Sequence, residues 1–398
     1  MYLVTEICSQ EKERTRLLGQ YLTCLFFILA TDATICRLIF GAGGTGVIFL
    51  ILSIWVTGGN FPMNESFVYV VFYCLLQFIS FIYNDGNINE TTWLLRDILL
   101  IVATFYYISN SYFYQFRTVF TNVVFLLCLI GIPIFVLSEF GLLPIHTTII
   151  GDHSYLFFGI YILGWDILFH RFSGIFHEPG AWQILLNIAL WFNFDRMISN
   201  NKIDAMLKFK LVVIILSLLI SFSTGGYIAF AIFILAFFLK KKWVGKYSLL
   251  LYFFSIVFLI GILLMLFNSG VVQDKLFNYH VSTTTRTDDI NACFRIASEH
   301  PLIGCGNKTR IFNEKSLAYG NRTSSAGIVA YTAMLGFVWL FVYIFVLWKT
   351  VKVMYNEIIT RLLFIIAFIT LNMNEAITYA PLVNVFLIRF KSESNKKN

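Results

Sequence analysis

With 398 residues, 58% of them hydrophobic and 13% charged, and with 43 phenylalanines, the chain carries more apolar surface than one soluble core of this size can bury. A mean hydropathy of +0.77 excludes a soluble enzyme and points to a polytopic membrane protein. The net charge is +7, and no nucleic-acid partner is expected.

A bilayer core about 30 Å thick needs about 20 apolar residues per helical crossing. Such runs centre near 18–36, 43–57, 66–83, 93–109, 118–139, 179–194, 208–222, 226–239, 248–267, 325–348, 362–375 and 378–390. The expected fold is all-α: a single integral-membrane domain over 1–398, with about 12 transmembrane helices and one large extracytoplasmic loop containing short helices. The first run follows Lys12, Arg14 and Arg16, and it reads as an uncleaved signal-anchor because no small-residue cleavage site follows it. GAGGTG at 41–46 satisfies a dinucleotide-binding pattern, but it lies between two spans with no preceding strand, so it reads as a turn. Asp32 and the neighbours Arg96 and Asp97 sit in or beside spans, where an ionised group needs a partner. Helix-to-helix salt bridging is the structural reading, and lipid-headgroup binding is the alternative.

Further along, RFSGIFHEPG at 171–180 places Arg171, His177 and Glu178 just before an apolar run. Residues 268–325 then form one long polar island in an otherwise apolar chain, so lipid cannot be its solvent. Lys and Arg near helix ends stay on the cytoplasmic side. With both termini inside, that side receives about 19 of the 29 basic residues, and the island falls outside as a periplasmic loop. Lys275, Arg286, Arg295, Lys308, Arg310, Lys315 and Arg322 of the island then break the positive-inside rule, which an anionic substrate would explain.

Within the island, Ile290, Phe294, Ile296 and Ala297 recur at helical spacing, so a helix is expected to start near Thr287 or Asp288, with Arg286 just before it as part of an anion site. Pro301, Gly304 and Gly306 are expected to end that helix in a tight turn whose bare backbone can approach a ligand. Cys293 and Cys305 share the loop, where an oxidising compartment permits a disulfide without requiring one. Adjacent Asp288 and Asp289 diverge on any regular element and have no His or Cys at ligand spacing, so no metal is expected. The sequons at Asn307 and Asn321 are short enough to arise by chance.

Four stretches carry a resemblance: RFSGIFHEP, FSTGGYIAF, RTDDINACFRIASEHPLIGCG and NRTSSAGIVAYTAMLGFVWL. In order and type they are similar to the bacterial O-antigen polymerase and O-antigen ligase superfamily of polytopic glycosyltransferases. The similarity spans about 171–348, and the first 150 residues match in hydropathy alone. Ser223, Thr224 and Gly225 stand where the family often has Ser-Arg-Gly, and Ser324 and Ser325 stand where ligases commonly place a His. The second departure favours a polymerase over a ligase.

The resemblance implies transfer of a glycan from undecaprenyl pyrophosphate to a sugar hydroxyl on another lipid-linked unit, with no cofactor. Arg286 is the first candidate to stabilise the departing pyrophosphate, followed by Arg171, Arg295 and Arg310. The acceptor's base is left open among Glu178, His177 and Asp289. Structural counterparts exist for each: Arg286 holding its helix against Asp288 or Asp289, Arg171 snorkelling to headgroups, His177 packing, Glu178 stabilising a helix start. Expected partners are the undecaprenyl-pyrophosphate-linked oligosaccharide, a flippase, a chain-length regulator and membrane lipid. A polysaccharide flippase is the reading from another class, but it should have intramembrane charges lining a cavity and short exported loops, the reverse of this chain.

Overall fold

The computed structural model describes residues 2–31, 34–87, 90–143, 146–147, 154–156, 161–164, 171–199, 204–240, 281–320, 327–373, 375 and 377–391. Five helices open the chain: α1 (Tyr2–Leu29), α2 (Ile35–Thr57), α3 (Glu65–Tyr83), α4 (Thr91–Ser109) and α5 (Phe113–Glu139). After a small sheet come α6 (Pro179–Phe192), α7 (Phe194–Ile198), α8 (Ala205–Leu219) and α9 (Thr224–Lys240). The polar island contributes α10 (Val281–Glu299) and α11 (Arg310–Ala318), followed by α12 (Gly327–Met354), α13 (Ile358–Met373) and the four-residue α14 (Pro381–Asn384). Among the described residues, α3, α4, α5 and α12 are long and apolar enough to cross a membrane, and shorter apolar helices run over Thr15–Leu29, Gly43–Thr57, Thr224–Lys240 and Ile358–Met373. The expected crossing at 248–267, Asp32, Asn321, Ser324 and Ser325 lie outside the described residues.

Three elements depart from expectation. The apolar run at 378–390 is not a crossing helix: α14 gives way to a 3-10 turn (Val385–Leu387) and then to extended chain. Its irregular backbone is sheltered by protein, as it must be at membrane depth, with Leu382, Val383, Val385, Phe386, Leu387 and Ile388 fully buried. Phe386 packs its ring 4.9 Å from both Phe364 and Phe368. The second departure is a four-stranded antiparallel meander, β1 (His146–Thr147), β2 (Ser154–Leu156), β3 (Tyr161–Gly164) and β4 (Arg171–Phe172). The third is GAGGTG, where the expected turn shrinks to one non-helical residue, Gly41, inside α2.

The helix ends sort into two sets. At one end Glu65 of α3 pairs with Lys349 of α12 (2.8 Å) and with Arg389 (3.3 Å), and Lys240 pairs with Glu357. At the other end, hereafter the loop end, the segment Pro301–Gly306 docks on a break in α12. Gly336 there has φ 83 and ψ 171, which interrupts the helix. A continuous helix would pair the Phe337 amide with the Ala333 carbonyl. Instead Phe337 N donates to Pro301 O (2.7 Å), Cys305 N donates to Ala333 O (3.0 Å) and Gly306 N donates to Met334 O (2.9 Å). Ser80 Oγ of α3 lies within hydrogen-bond distance of the carbonyls of Ile303 (2.6 Å) and Met334 (3.0 Å).

Of the loop glycines, Gly304 lays its bare backbone against α12. A Cβ on Gly304 would overlap the Met334 carbonyl, and one on Gly336 would overlap the Leu302 carbonyl. Both residues also hold positive φ, 64 and 83. Gly304→Ala and Gly336→Ala are each expected to cost about 2 kcal/mol or more, from strain plus overlap. Gly320→Ala, at φ 80 with nothing near an added Cβ, should cost less. Thermal unfolding of the three variants in detergent checks the order.

Candidate functional site

Arg171 is set by strand pairing. It lies opposite Gly164 across β3 and β4, and the next residue, Phe172, also donates its amide to Ile220 O at the end of α8 (3.3 Å). Phe172 is buried against Trp182 (5.7 Å) and Phe135 (5.5 Å), which holds the strand on the bundle. Phe176 forms a bridge to Thr34, leaving His177 half-buried and Glu178 exposed at the N-cap of α6. Glu178 makes no side-chain cap bond, so its structural reading as a helix-start residue is not realised by capping.

Helix α6 is itself anchored on α8 and α9, on either side of the turn near Ser223. Trp182 Nε1 donates to Ser217 Oγ (3.0 Å), Gln183 Nε2 to Leu218 O (2.7 Å), and Asn187 Nδ2 to Gly226 O (3.3 Å). A Cβ on Gly226 would overlap Gln183, which explains a glycine there.

Against the α6 entry lies Glu375, an acid that was not among the residues singled out in the sequence. Glu375 follows the end of α13 and is buried. Its carboxyl packs on the bare backbone of Gly180, where a Cβ would overlap Oε1. Its carbonyl packs on Gly327 at the start of α12, where a Cβ would again collide. Burial holds the Glu375 carboxyl well above the usual carboxylate range, and the neighbouring Glu178 pushes it further up. Arg286 and Arg171 act in the opposite direction. The available signal was a lone acid between two apolar runs, the same signal that marked Asp97.

Helix α10 starts at Val281, six residues or so before the expected point, so Arg286 lies inside it and Thr287 and Asp288 are not its caps. The anion site at a helix start is corrected accordingly. The Ser and Thr residues ahead of Arg286 each lose only about 0.5 kcal/mol in a helix, which tertiary docking outweighs. The docked stripe is Ala292, Cys293, Ile296 and Ala297, all buried, with Asp289 buried one turn earlier. Arg286 is half-buried, whereas Arg295 is exposed and lies 5.9 Å from the Tyr319 ring. Arg310 is exposed and pairs with Glu314 one turn on (2.7 Å). Neither Arg295 nor Arg310 is among the groups acting on Glu375. Cys293 and Cys305 are buried and are not joined in a disulfide.

Arg96 and Asp97 pair with each other on α4, through Arg96 Nε (2.9 Å) and Nη2 (2.8 Å) to Asp97 Oδ1. Asp97 Oδ2 accepts from Asn307 Nδ2 (2.6 Å) and from the Tyr331 hydroxyl. The Arg96 guanidinium lies over Tyr379 (3.8 Å) and near Trp93 (4.6 Å). The pair therefore ties α4 to the loop and to α12, and the sequon residue Asn307 is a buried part of that tie. Among the described residues no cluster of three or more His, Cys, Asp or Glu could hold a metal ion.

Residues 209–328 match the family model described as O-antigen ligase. The match covers under a third of the chain and supports its similarity to the O-antigen polymerase and ligase superfamily. This superfamily supports an O-antigen ligase or polymerase type of function, and the apolar helices fit a membrane protein. The matched stretch contains Arg286, Asp289, Arg295 and Arg310, whereas Arg171, Glu178 and Glu375 lie outside it. No curated protein and no solved structure matches the chain.

Asp97→Ala removes the carboxylate that Arg96, Asn307 and Tyr331 share and is expected to cost about 3 to 5 kcal/mol. Arg310→Ala breaks only an exposed pair and should leave the unfolding midpoint unchanged. Thermal unfolding of both variants in detergent makes the comparison.

Proposed function

We propose that this protein is an O-antigen polymerase that works at the periplasmic face of the bacterial inner membrane, with both termini in the cytoplasm. It transfers a growing glycan from undecaprenyl pyrophosphate to a sugar hydroxyl of another lipid-linked repeat unit. The observation that carries the reading is the O-antigen ligase family match over residues 209–328, which contains Arg286, the first candidate to meet the departing pyrophosphate. Outside the cytoplasm no nucleotide sugar is available, so the activated donor arrives on its lipid carrier and the pyrophosphate supplies the driving force.

As the bond from C1 to the pyrophosphate oxygen breaks, negative charge grows on the leaving group. Arg171 and Arg286 present planar, permanently charged donors, and binding that strengthens with that charge lowers the barrier. Glu178 is exposed at the N-cap of α6 and is the favoured base for the acceptor hydroxyl, ahead of His177 and Asp289. Arg295 and Arg310 sit further out on the loop helices and are proposed only as peripheral contacts to the anionic donor. A flippase that delivers the lipid-linked unit and a chain-length regulator complete the proposed system.

The description of the matched family favours a ligase as the second reading. Ser324 and Ser325, at the place where ligases commonly carry a His, support the polymerase instead. Deletion in cells separates the two: loss of a polymerase leaves single-repeat lipopolysaccharide, and loss of a ligase leaves none. Purified protein in liposomes with synthetic polyprenyl-pyrophosphate repeat units is expected to yield a ladder of products. Arg286→Ala should abolish the ladder while expression persists, and Arg286→Lys should restore little of it, because an ammonium lacks the planar fork. Normal glycan length in cells carrying Arg286→Ala would remove that residue from the mechanism.

A further inference from the structure

Helices α3 and α12 are tied together at two levels. Near the loop end Ser80 Oγ lies within hydrogen-bond distance of the Met334 carbonyl (3.0 Å), and at the opposite end Glu65 pairs with Lys349 (2.8 Å). Beside the second tie a groove of about 740 Å³ opens between the two helices. Val68 and Phe72 of α3 line one wall, and Val342, Phe345 and Val346 of α12 line the other. Helical spacing puts them there: positions 65, 68 and 72 share one face of α3, and positions 342, 345, 346, 349 and 352 share one face of α12.

The charge in this groove gathers at the end away from the loop. Lys349 and Lys352 come from the last turns of α12, and Arg389 comes from the extended chain after the 3-10 turn. Arg389 is fixed against α3, because its amide donates to Ser66 Oγ (2.8 Å) and its guanidinium lies 3.3 Å from Glu65. Glu65 is thereby shared between Lys349 and Arg389, while Lys352 is exposed and pairs with no carboxylate among the described residues. Three cations face one acid. Lys349 and Lys352 also suit the C-terminal end of a helix dipole, but that does not account for an apolar groove running up to them.

We propose that the groove seats one anionic glycerophospholipid, with its phosphate among Lys349, Lys352 and Arg389 and an acyl chain laid along Val68, Phe72, Val342 and Phe345. The occupant must be amphipathic, since a free phosphate would leave the apolar walls unused and a wholly apolar chain would leave Lys352 unpaired. A zwitterionic lipid brings a cation of its own to a place that already has an excess of them. Basic pockets between transmembrane helices take anionic headgroups for this reason, and each Lys or Arg near the membrane surface strengthens the attraction about fivefold. The orientation proposed above assigns the lipid to the cytoplasmic leaflet; nothing else in the inference uses that reading. A lipid seated here braces α3 against α12, the two helices that receive the loop segment through Ser80 and Met334.

The test is native mass spectrometry of the full-length protein, reconstituted with equal phosphatidylglycerol and phosphatidylethanolamine and then released in mild detergent. Wild type is expected to keep one phosphatidylglycerol per chain in preference to phosphatidylethanolamine. Lys352→Gln breaks no ion pair and should weaken that retention about fivefold, and Lys349→Gln, Lys352→Gln and Arg389→Gln together should weaken it about 100-fold. Val346→Trp fills the groove with every charge left in place and should weaken retention about tenfold by displacing the acyl chain. Added phosphatidylglycerol should also raise the thermal unfolding midpoint of wild type by a few degrees and leave that of Val346→Trp unmoved. Equal retention of the two lipids by wild type overturns the proposal. So does wild-type retention by Val346→Trp, which would reduce the effect to general attraction between a basic surface and an anionic membrane. A polyprenyl phosphate or a second copy of the chain found in place of the phospholipid overturns it as well. These readouts need no polymer synthesis, so failure of the ladder assay is told apart from failure of the lipid site.

Discussion

A helix broken inside a membrane leaves backbone groups that lipid cannot satisfy, and the way this protein repairs one such break organises its loop end. At Gly336 the amide of Phe337 and the carbonyls of Ala333 and Met334 lose their helical partners, and the chain from Pro301 to Gly306 supplies replacements for all three. The loop is therefore stitched into a transmembrane helix by main-chain bonds, and Ser80 of α3 reaches into the same seam. Because α10 leads directly into this segment, the helix that carries Arg286 is held in place by it.

Around that seam the protein concentrates its buried charge. Asp97 gathers Arg96, Asn307 and Tyr331 at one place, sharing its oxygens among Arg96 and two neutral donors, as befits a tie between helices. Glu375 is buried elsewhere, with its carboxyl against the bare backbone of Gly180 and its carbonyl against Gly327, so that it joins the chain beyond α13 to the starts of α6 and α12.

Much of the architecture was legible in the residues. The ranges of α3, α4, α5 and α6 fall within a few residues of the apolar runs, because partition into lipid is a sum over neighbouring side chains. Arg171, Glu178 and Arg286 stood out through residue type and family resemblance together. Other readings failed for identifiable reasons. The run at 378–390 is apolar enough to cross as a helix, yet protein instead of lipid surrounds it, so its backbone is free to be irregular. Thr287 and Asp288 look like caps, but a cap's contribution of about 1 kcal/mol does not decide where a docked helix begins.

Hydropathy and charge along the chain, being local and additive, determined by themselves that this is a membrane protein with a polar, basic loop. Tertiary structure alone decided that PLIGCG and Gly336 are two halves of one contact, and that Glu375 packs on Gly180 and Gly327 from far along the chain. The physical reason is that hydrogen bonding and burial depend on which groups meet. A bare glycine is the same residue in a turn, beneath a carboxyl or beside a carbonyl, and only the packed bundle distinguishes them.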